Sequence, residues 1–171
     1  HGALKLNEAF AGSLRRVLTE TKAQVVYITG RRYYEELNRQ LTELQQQYPE
    51  RLHLLPYHDQ LPLLLARADL MVSRAGATTL AELTALGVPC IVIPSPNVTN
   101  NHQEHNARLL ADHDAAVLIR EHELTTTVLA AQLVALLNDQ QRLQAMAAAS
   151  QRLGMPDAAA RMTAVMRDVC R

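Results

Sequence analysis

Short apolar runs alternate with longer helix-like segments along most of the chain, and this alternation limits the fold more than any other feature. The runs are continuously apolar, as in strands that are buried on both faces of a parallel sheet. The segments between them repeat apolar residues every three or four positions, which indicates amphipathic helices. We therefore predict an α/β fold, a Rossmann-like doubly wound parallel sheet with helices on both faces. The predicted strands are residues 23–29, 52–56, 69–73, 89–94 and 115–119.

The predicted helices connect these strands and continue after the last one. Apolar side chains step by three or four positions from Tyr34 to Tyr48, which predicts one helix that ends at Pro49. Gly87 is the expected stop signal of another helix. The predicted helices are residues 4–20, 34–48, 60–67, 77–86, 102–112, 124–137, 139–152 and 157–169.

Size and composition narrow the classes of function. The 171 residues suffice for one domain with a hydrophobic core, and we predict a single domain over residues 1–171. Lys plus Arg and Asp plus Glu number 17 each, so the basic excess typical of a nucleic-acid surface is missing. The two cysteines form no motif, and no apolar stretch is long enough to span a bilayer. The sequence opens on His1 without an initiator Met, which we interpret as a piece of a longer protein.

The loop after the third predicted strand has the residues of an anion site, and ligands of open α/β sheets bind at such strand ends. Gly76 permits a tight turn and close backbone approach, and a helix is predicted to begin near Ala77. The free N–H groups from Gly76 to Thr79 then suit a phosphate. Thr78 and Thr79 add hydroxyl donors, and Glu82 can accept hydrogen bonds from a vicinal diol such as a ribose. The alternative is a plain glycine turn with a capping threonine and a solvated glutamate.

A second polar loop follows the fourth predicted strand. Asn100 or Asn101 is predicted to cap the next helix. His102 and Gln103 then fall in the first turn of that helix and face the same crevice as the phosphate site. Amide and imidazole groups recognise the hydroxyls of a sugar without carrying fixed charge. The segment therefore predicts a sugar subsite.

A metal site is an alternative for the same segment. His102 and His105 are three residues apart on the predicted helix, with Glu104 between them and His113 nearby. Their spacing places no convincing third ligand, so we predict no metal.

The loop at residues 56–61 follows the second predicted strand and is the third candidate. Its exposed backbone could pair with the edge of a base, with Tyr57 or Leu61 packed on the ring. The alternative is that Asp59 simply caps the short helix that follows.

These residues resemble the C-terminal half of the MurG family, bacterial glycosyltransferases of the GT-B fold. The family transfers N-acetylglucosamine from UDP-N-acetylglucosamine to undecaprenyl-pyrophosphoryl-N-acetylmuramoyl-pentapeptide, which converts lipid I to lipid II in peptidoglycan synthesis. The resemblance covers nearly the whole chain. The motifs that carry it are GALKLNEAF, SRAGATTLAELTALGVPCIVIP, SPNVTNNHQEHNARLL and MPDAAARM.

The resemblance implies a role for each loop. The helix start from Ala77 to Glu82 would hold the diphosphate and ribose of UDP, and the backbone of His58 would meet the uracil. Gln103, with His102 beside it, would bind hydroxyls of the sugar, although the family often has Gln at the position of His102. Arg74 would shape the site. The predicted donor-binding residues are His58, Leu61, Arg74, Gly76, Ala77, Thr78, Thr79, Leu80, Glu82, His102 and Gln103.

The resemblance also implies what lies outside this chain. A Gly-Gly-Ser loop would precede the residues that match Gly2 and Ala3, and a whole N-terminal domain would supply the catalytic base, the acceptor site and the membrane contact. The chemistry would be inverting transfer without a metal or other cofactor. The intact protein would sit on the cytoplasmic face of the bacterial cell membrane and serve cell-wall growth and division. The 171-residue chain alone would be soluble and inactive.

Two other functions stay open on the sequence. One is a noncatalytic donor-binding subunit that works with a separate acceptor-binding chain. The other is a nucleotide-sugar epimerase of the same fold, which needs acid and base carboxylates in the crevice. Glu104 is the main carboxylate that the sequence offers there.

Overall fold

The computed structural model describes residues 4–170, apart from the side chain of Asn100. The expectations that concern His1, Gly2 and Ala3 lie outside the described residues. The strands are β1 (Val25–Ile28), β2 (Leu52–Leu55), β3 (Met71–Ser73), β4 (Cys90–Val92) and β5 (Ala116–Leu118). The helices are α1 (Leu4–Glu20), α2 (Tyr34–Gln40), α3 (Thr42–Gln47), α4 (Leu61–Leu65), α5 (Ala77–Leu86), α6 (His102–Ala111), α7 (Thr126–Leu137), α8 (Gln140–Leu153) and α9 (Ala158–Val169).

The five strands pair in parallel, as predicted, but they form two sheets. β1 pairs with β2, and β4 lies between β3 and β5. The prediction of a parallel α/β fold is confirmed. The expectation of one continuous sheet is not met within residues 4–170, because β1 and β3 do not pair with each other.

β4 is the centre of the larger sheet, and its alternating side chains face two different hydrophobic clusters. Cys90 and Val92 pack against α5 and α6, while Ile91 and Ile93 pack against α1, α7 and α8. All four side chains are fully buried, which explains why this run is apolar at every position. Burial raises the pKa of the Cys90 thiol to about 12, so this cysteine stays protonated and unreactive.

The prediction of one helix over residues 34–48 is wrong in one respect. The segment forms two helices, α2 and α3, which are separated at Leu41. Leu41 has φ −99° and ψ 5°, outside the α-helical region. Thr42 donates its hydroxyl hydrogen to the carbonyl oxygen of Asn38 at 2.8 Å. Such local side-chain bonds compete with the regular helix pattern and bend it.

Two features of the helices concern the outer surface. No helix within residues 4–170 has the length and apolar character needed to cross a membrane. α9 has no buried residue, and its apolar side chains, Met162 and Met166 among them, are exposed.

Candidate functional site

The N-terminus of α5 has open backbone donors. The first hydrogen bond of this helix runs from the N–H of Leu80 to the carbonyl oxygen of Gly76 at 3.0 Å. The N–H groups of Ala77, Thr78 and Thr79 therefore have no partner inside the helix. Among the described residues, no side chain caps this end. Since the helix dipole adds positive potential at its N-terminus, the position suits an anion.

Gly76, at the N-cap of α5, leaves room in front of these donors. Its φ of −70° and ψ of 137° are ordinary for any residue, so the turn that Gly76 permits does not itself depend on glycine. A Cβ at Gly76 would meet no described atom within 4 Å. The protein alone thus has space for a side chain here. The space in front of the α5 donors is therefore open to an approaching ligand.

Glu82 lies one turn inside α5 and is partly exposed. Among the described residues its carboxylate forms no hydrogen bond or ion pair. It is therefore available as an acceptor, as the predicted ribose contact requires. Thr78 is exposed on the same face. Leu80 is 4% exposed and packs in the core, so its side chain holds α5 in place from the inner side.

The side chain of Gln103, in the first turn of α6, uses one of its two polar groups within the protein. Its Oε1 accepts a hydrogen bond from the N–H of Ser95 at 2.9 Å, which ties α6 to the end of β4. Its amide NH₂ group, a donor, has no such partner among the described bonds. His102 is exposed, and its Nδ1 lies 2.9 Å from the carbonyl oxygen of Thr99. Both side chains therefore keep one polar group for a ligand.

The capping prediction for α6 fails at Asn101. Asn101 is the N-cap residue, but its side chain makes no capping hydrogen bond. It has φ 49° and ψ 29°, a left-handed conformation that asparagine tolerates better than most residues. The side chain of Asn100 lies outside the described part of the chain.

Asn106 joins the two loops and was missed by the sequence analysis. Its Nδ2 donates to the carbonyl oxygen of Ala75 at 3.2 Å, one residue before Gly76. It thus holds α6 against the backbone that leads into α5. The available signal was its position three residues after Gln103, on the same face of α6.

Arg74 connects the ends of three strands. Its Nη1 donates to the carbonyl oxygens of Ile93 and Pro94, at 3.2 and 3.4 Å. Its Nη2 lies 2.5 Å from the Glu121 carboxylate, after β5. Lys5 of α1 donates to the backbone carbonyl of Glu121. These bonds fit the predicted shaping role of Arg74.

A cavity of about 520 Å³ opens at this same edge of the sheet. It is bordered by the start of α1, the loop after β4, the first turns of α6 and the segment after β5. Polar and charged side chains dominate its wall. Those residues are Lys5, Ser95, Asn101, Glu104, Arg108, Arg120, Glu121 and His122.

Glu104 is held by two arginines. Its Oε1 lies 2.9 Å from Nε of Arg108 and 3.0 Å from Nε of Arg120. Burial raises the pKa of Glu104, but the hydrogen bonds and charges of both arginines outweigh burial and lower the pKa below its ordinary value. A carboxyl held ionised in this way is unsuited to donate a proton, as an epimerase would need from it.

This lowered pKa predicts a pH-dependent effect of Glu104→Gln. A group with a depressed folded-state pKa stabilises the fold above its unfolded pKa, and that contribution is lost as the pH falls through the folded pKa. We expect the variant to be less stable by about 0.5–1 kcal/mol at neutral pH, because the pair is partly exposed, and equally stable in acid. Urea denaturation at neutral and at acid pH measures the free energy of unfolding of the variant and of the unsubstituted chain. Glu36→Gln in α2 is the matched control, and a loss that is the same at both pH values would contradict the assignment.

The loop between β2 and α4 is held by local contacts. Nδ1 of His58 accepts the N–H of Gln60 at 3.1 Å, and the guanidinium of Arg31 lies 5.1 Å from the centre of the Tyr57 ring. Leu61 packs against the same cluster as α5. Gln60, and not Asp59, is the N-cap of α4, and no side chain in the described part of the chain caps this helix. The capping alternative for Asp59 is therefore wrong.

The alternative of a metal site requires a cluster of ligand side chains. Within the described residues no group of three or more His, Cys, Asp or Glu side chains could hold an ion. His113 lies apart from His102, with its Nδ1 2.8 Å from the carbonyl oxygen of Leu109 in its own helix.

Comparison with known proteins gives the family. Residues 1–162 match the model of the glycosyltransferase family 28 C-terminal domain. The chain belongs to this family. It is 46% identical over 158 residues to the UDP-N-acetylglucosamine–N-acetylmuramyl-(pentapeptide) pyrophosphoryl-undecaprenol N-acetylglucosamine transferase of Oenococcus oeni, covering 92% of this chain and 42% of that enzyme. The enzyme of the same name from Halalkalibacterium halodurans is 43% identical, and the match covers 99% of this chain and 46% of that enzyme.

Solved structures agree with the family 28 assignment. The crystal structure of Acinetobacter baumannii MurG matches with a TM-score of 0.79 and 26% identity, over 98% of this chain and 49% of that one. The structure of the glycosyltransferase VinC in complex with dTDP matches with a TM-score of 0.63 and 21% identity. The match covers 83% of this chain and 31% of VinC, and it shows the fold alone. This family 28 chain spans less than half the length of the curated relatives it matches.

Proposed function

We propose that this family 28 chain is the donor-binding domain of an inverting N-acetylglucosaminyltransferase that converts lipid I to lipid II. The observation that carries the proposal is the uncapped N-terminus of α5, with the unpartnered carboxylate of Glu82 behind it and Gln103 across the crevice. Asn106 bridges the two loops, so both ends of one ligand can be held at once. The names of the relatives supply the donor and the acceptor.

Each subsite would take one part of UDP-N-acetylglucosamine. The diphosphate would rest on the N–H groups of Ala77 to Thr79, and Glu82 would accept hydrogen bonds from the ribose hydroxyls. The amide NH₂ of Gln103 would donate to a sugar hydroxyl. The backbone of His58 would meet the uracil, with Leu61 beside it.

The α5 terminus would also assist the chemistry. When the acceptor hydroxyl attacks the anomeric carbon, the bond to the diphosphate breaks and negative charge grows on the leaving UDP. Preorganised N–H dipoles stabilise such charge without a metal ion. The base that removes the hydroxyl proton and the binding of the lipid-linked acceptor belong, in this proposal, to the other half of the protein, which would act at the cytoplasmic face of the membrane. The 171-residue chain alone would transfer no sugar, and sustained transfer by it would contradict this division.

A titration of three ligands tests the two loops separately. We expect Glu82→Ala to weaken UDP, UDP-glucose and UDP-N-acetylglucosamine alike, about tenfold or more, because a charged acceptor is lost from a contact that all three share. Gln103→Ala should weaken only the two sugar nucleotides, about threefold to tenfold, since one neutral hydrogen bond is lost. Calorimetry or NMR titration of the chain measures these dissociation constants.

The controls are substitutions of the same type away from the crevice. Glu43→Ala in α3 and Gln144→Ala in α8 are exposed and should leave all three dissociation constants unchanged. Equal losses across the three ligands for both site variants would show that the loops do not divide the ligand in this way.

A further inference from the structure

A closed turn at residues 120–123, the β5 turn, follows the last strand. The N–H of Glu123 donates to the carbonyl oxygen of Arg120 at 2.9 Å, and the Glu123 carboxylate accepts the N–H of Arg120 at 3.2 Å. Buried residues hold both ends, because Ile119 and Leu124 are 4% and 3% exposed and pack in the same hydrophobic cluster. The backbone of the β5 turn is therefore well fixed, although its side chains reach the surface.

The first side chain of the β5 turn contacts α6. Nε of Arg120 lies 3.0 Å from Oε1 of Glu104, the residue that follows Gln103. The other partner of Glu104 is Arg108, which belongs to the same helix and cannot fix that helix against the sheet. Among the described ion pairs, the one with Arg120 is thus the link from Glu104 to another element. It holds the first turn of α6, and with it the side chain of Gln103.

The second side chain of the β5 turn contacts the other loop of the candidate site. Oε2 of Glu121 lies 2.5 Å from Nη2 of Arg74, two residues before Gly76. The two side chains are 21% and 18% exposed, so solvent screens their attraction less than that of a surface pair. Lys5 of α1 donates to the backbone carbonyl of Glu121 and steadies it from the far side. Glu121 therefore acts on the backbone that leads into α5.

These two ion pairs differ from an ordinary surface pair of the same chain. Arg16 and Glu20 are 45% and 44% exposed and lie one turn apart on α1, so their contact joins nothing beyond that helix. The pairs of Arg120 and Glu121 start from neighbouring residues and end on two different loops. One short, fixed turn is thereby connected to both loops that border the crevice.

We infer that Arg120 and Glu121 are positioning residues for the donor. Arg120 places the sugar loop, residues 95–103, through Glu104, and Glu121 places the phosphate loop, residues 74–79, through Arg74. Each acts through its partner side chain and not by touching the donor. This inference rests on the proposed division of the donor between the two loops, and it adds the element that sets the spacing between them.

Substitution of Arg120 tests the first connection. Arg120→Met keeps a long side chain but removes the charge and the Nε donor, while Glu104 keeps its bond to Arg108. We expect the dissociation constant of UDP-N-acetylglucosamine to rise about threefold to tenfold, the size of an effect transmitted through one contact, and that of UDP to stay unchanged. Arg120→Lys restores the charge and should recover part of the loss. NMR titration measures these constants.

Substitution of Glu121 tests the second connection. Glu121→Gln keeps the shape of the side chain but replaces an ion pair with a weaker neutral hydrogen bond. The dissociation constants of UDP and UDP-N-acetylglucosamine should both rise about threefold to tenfold, by the same factor. Uridine has no phosphate, so its dissociation constant should stay unchanged. The different ligand profiles of the Arg120 and Glu121 variants are the result that a merely structural role would not give.

Matched substitutions on exposed helix surfaces are the controls. Arg142→Met in α8 and Glu43→Gln in α3 should leave all the dissociation constants unchanged. If Arg120→Met and Glu121→Gln weaken every ligand by one common factor, or weaken none, the inference is overturned. Urea denaturation of each variant shows how much of any loss of binding comes from a less stable fold.

A measurement without ligand separates this inference from the proposed function. If the unsubstituted chain binds neither UDP nor UDP-N-acetylglucosamine, the proposed function fails, and hydrogen exchange then decides the inference. The N–H of Ser95 is bonded to Oε1 of Gln103, so it should exchange about fivefold faster or more in Arg120→Met and at an unchanged rate in Glu121→Gln. Exchange at the same rate in Arg120→Met as in the unsubstituted chain would overturn the inference.

The side-chain amide of Asn106 reports on the second connection in the same ligand-free sample. It donates to the carbonyl oxygen of Ala75, in the phosphate loop. Its NMR signal should shift in Glu121→Gln and stay in place in Glu43→Gln. An unshifted signal in Glu121→Gln would show that Glu121 does not place this loop.

Discussion

Gly154→Ala is expected to lower the free energy of unfolding by about 1–3 kcal/mol, the usual range for forcing an extra carbon into a packed site. A Cβ at Gly154 would lie 2.4 Å from the carbonyl oxygen of Thr84 and 2.8 Å from its carbonyl carbon. Both atoms belong to the backbone of α5, so no side-chain rotation relieves the contact. Gly154 has φ −70° and ψ 148°, which alanine adopts freely, so the loss comes from crowding alone.

Denaturation in urea measures this loss, and Gly76→Ala is the matched control. Both changes add one methyl group at the end of a helix, but only the one at Gly154 meets backbone atoms. In a chain of this size the melting temperature should fall by about 2–4 °C per kcal/mol. If Gly154→Ala and Gly76→Ala unfold at the same denaturant concentration, α8 does not press on α5 as closely as the structure has it.

The contact at Gly154 matters because it supports the helix that carries the candidate site. The hydroxyl of Ser150 in α8 donates to the carbonyl oxygen of Val88 at 3.2 Å, just beyond the C-terminal end of α5. α8 thereby fixes one end of α5 while the other end stays open toward the crevice. We expect this packing to help keep the N–H groups at the other end of α5 in a fixed direction.

Local signals made much of this fold predictable from the sequence. α1 and α5 have the bounds that periodicity predicts, and α5 ends at Gly87, whose φ of 69° favours glycine. The five strands were found in order, each shorter than predicted because apolar runs extend past the paired residues. Strand and helix signals depend on neighbouring residues only, so a single sequence contains them.

Several of the missed features depend on contacts between distant residues. The amide of Asn106 reaches Ala75, 31 positions away, and Arg120 reaches Glu104 across 16 positions. Periodicity gives no information on such pairs. The division of the sheet was missed for the same reason, because strand pairing is set by the fold as a whole and each strand looks complete by itself.

The donor-binding residues that the sequence predicts stay a prediction, but the structure shows where they lie. The sequence identified the three loops, and the structure brings two of them together through Asn106 and Arg74. The sequence could not show that the side-chain carbonyl oxygen of Gln103 accepts the N–H of Ser95, which leaves only the NH₂ group for a ligand. The contacts of the donor with these residues remain a proposal.

Gly76→Ala is expected to weaken the binding of UDP about tenfold or more, which corresponds to about 1.4 kcal/mol, while the fold keeps its stability. The added methyl group would enter the open space in front of the α5 donors, where a phosphate must approach. Two effects on stability oppose each other: alanine is a poorer N-cap than glycine, and it restricts the unfolded chain. We therefore expect the free energy of unfolding to change by less than about 1 kcal/mol.

Uridine is the control ligand for this variant, because it has the base and ribose of UDP but no phosphate. Gly76→Ala should leave the dissociation constant of uridine unchanged and raise that of UDP. NMR titration of the unsubstituted chain and of Gly76→Ala with each ligand measures the four dissociation constants. A parallel loss for uridine would mean that the methyl group disturbs the whole crevice. Unchanged binding of UDP would mean that its phosphates do not reach the N-terminus of α5, and the proposed division of the donor between the two loops would then be wrong.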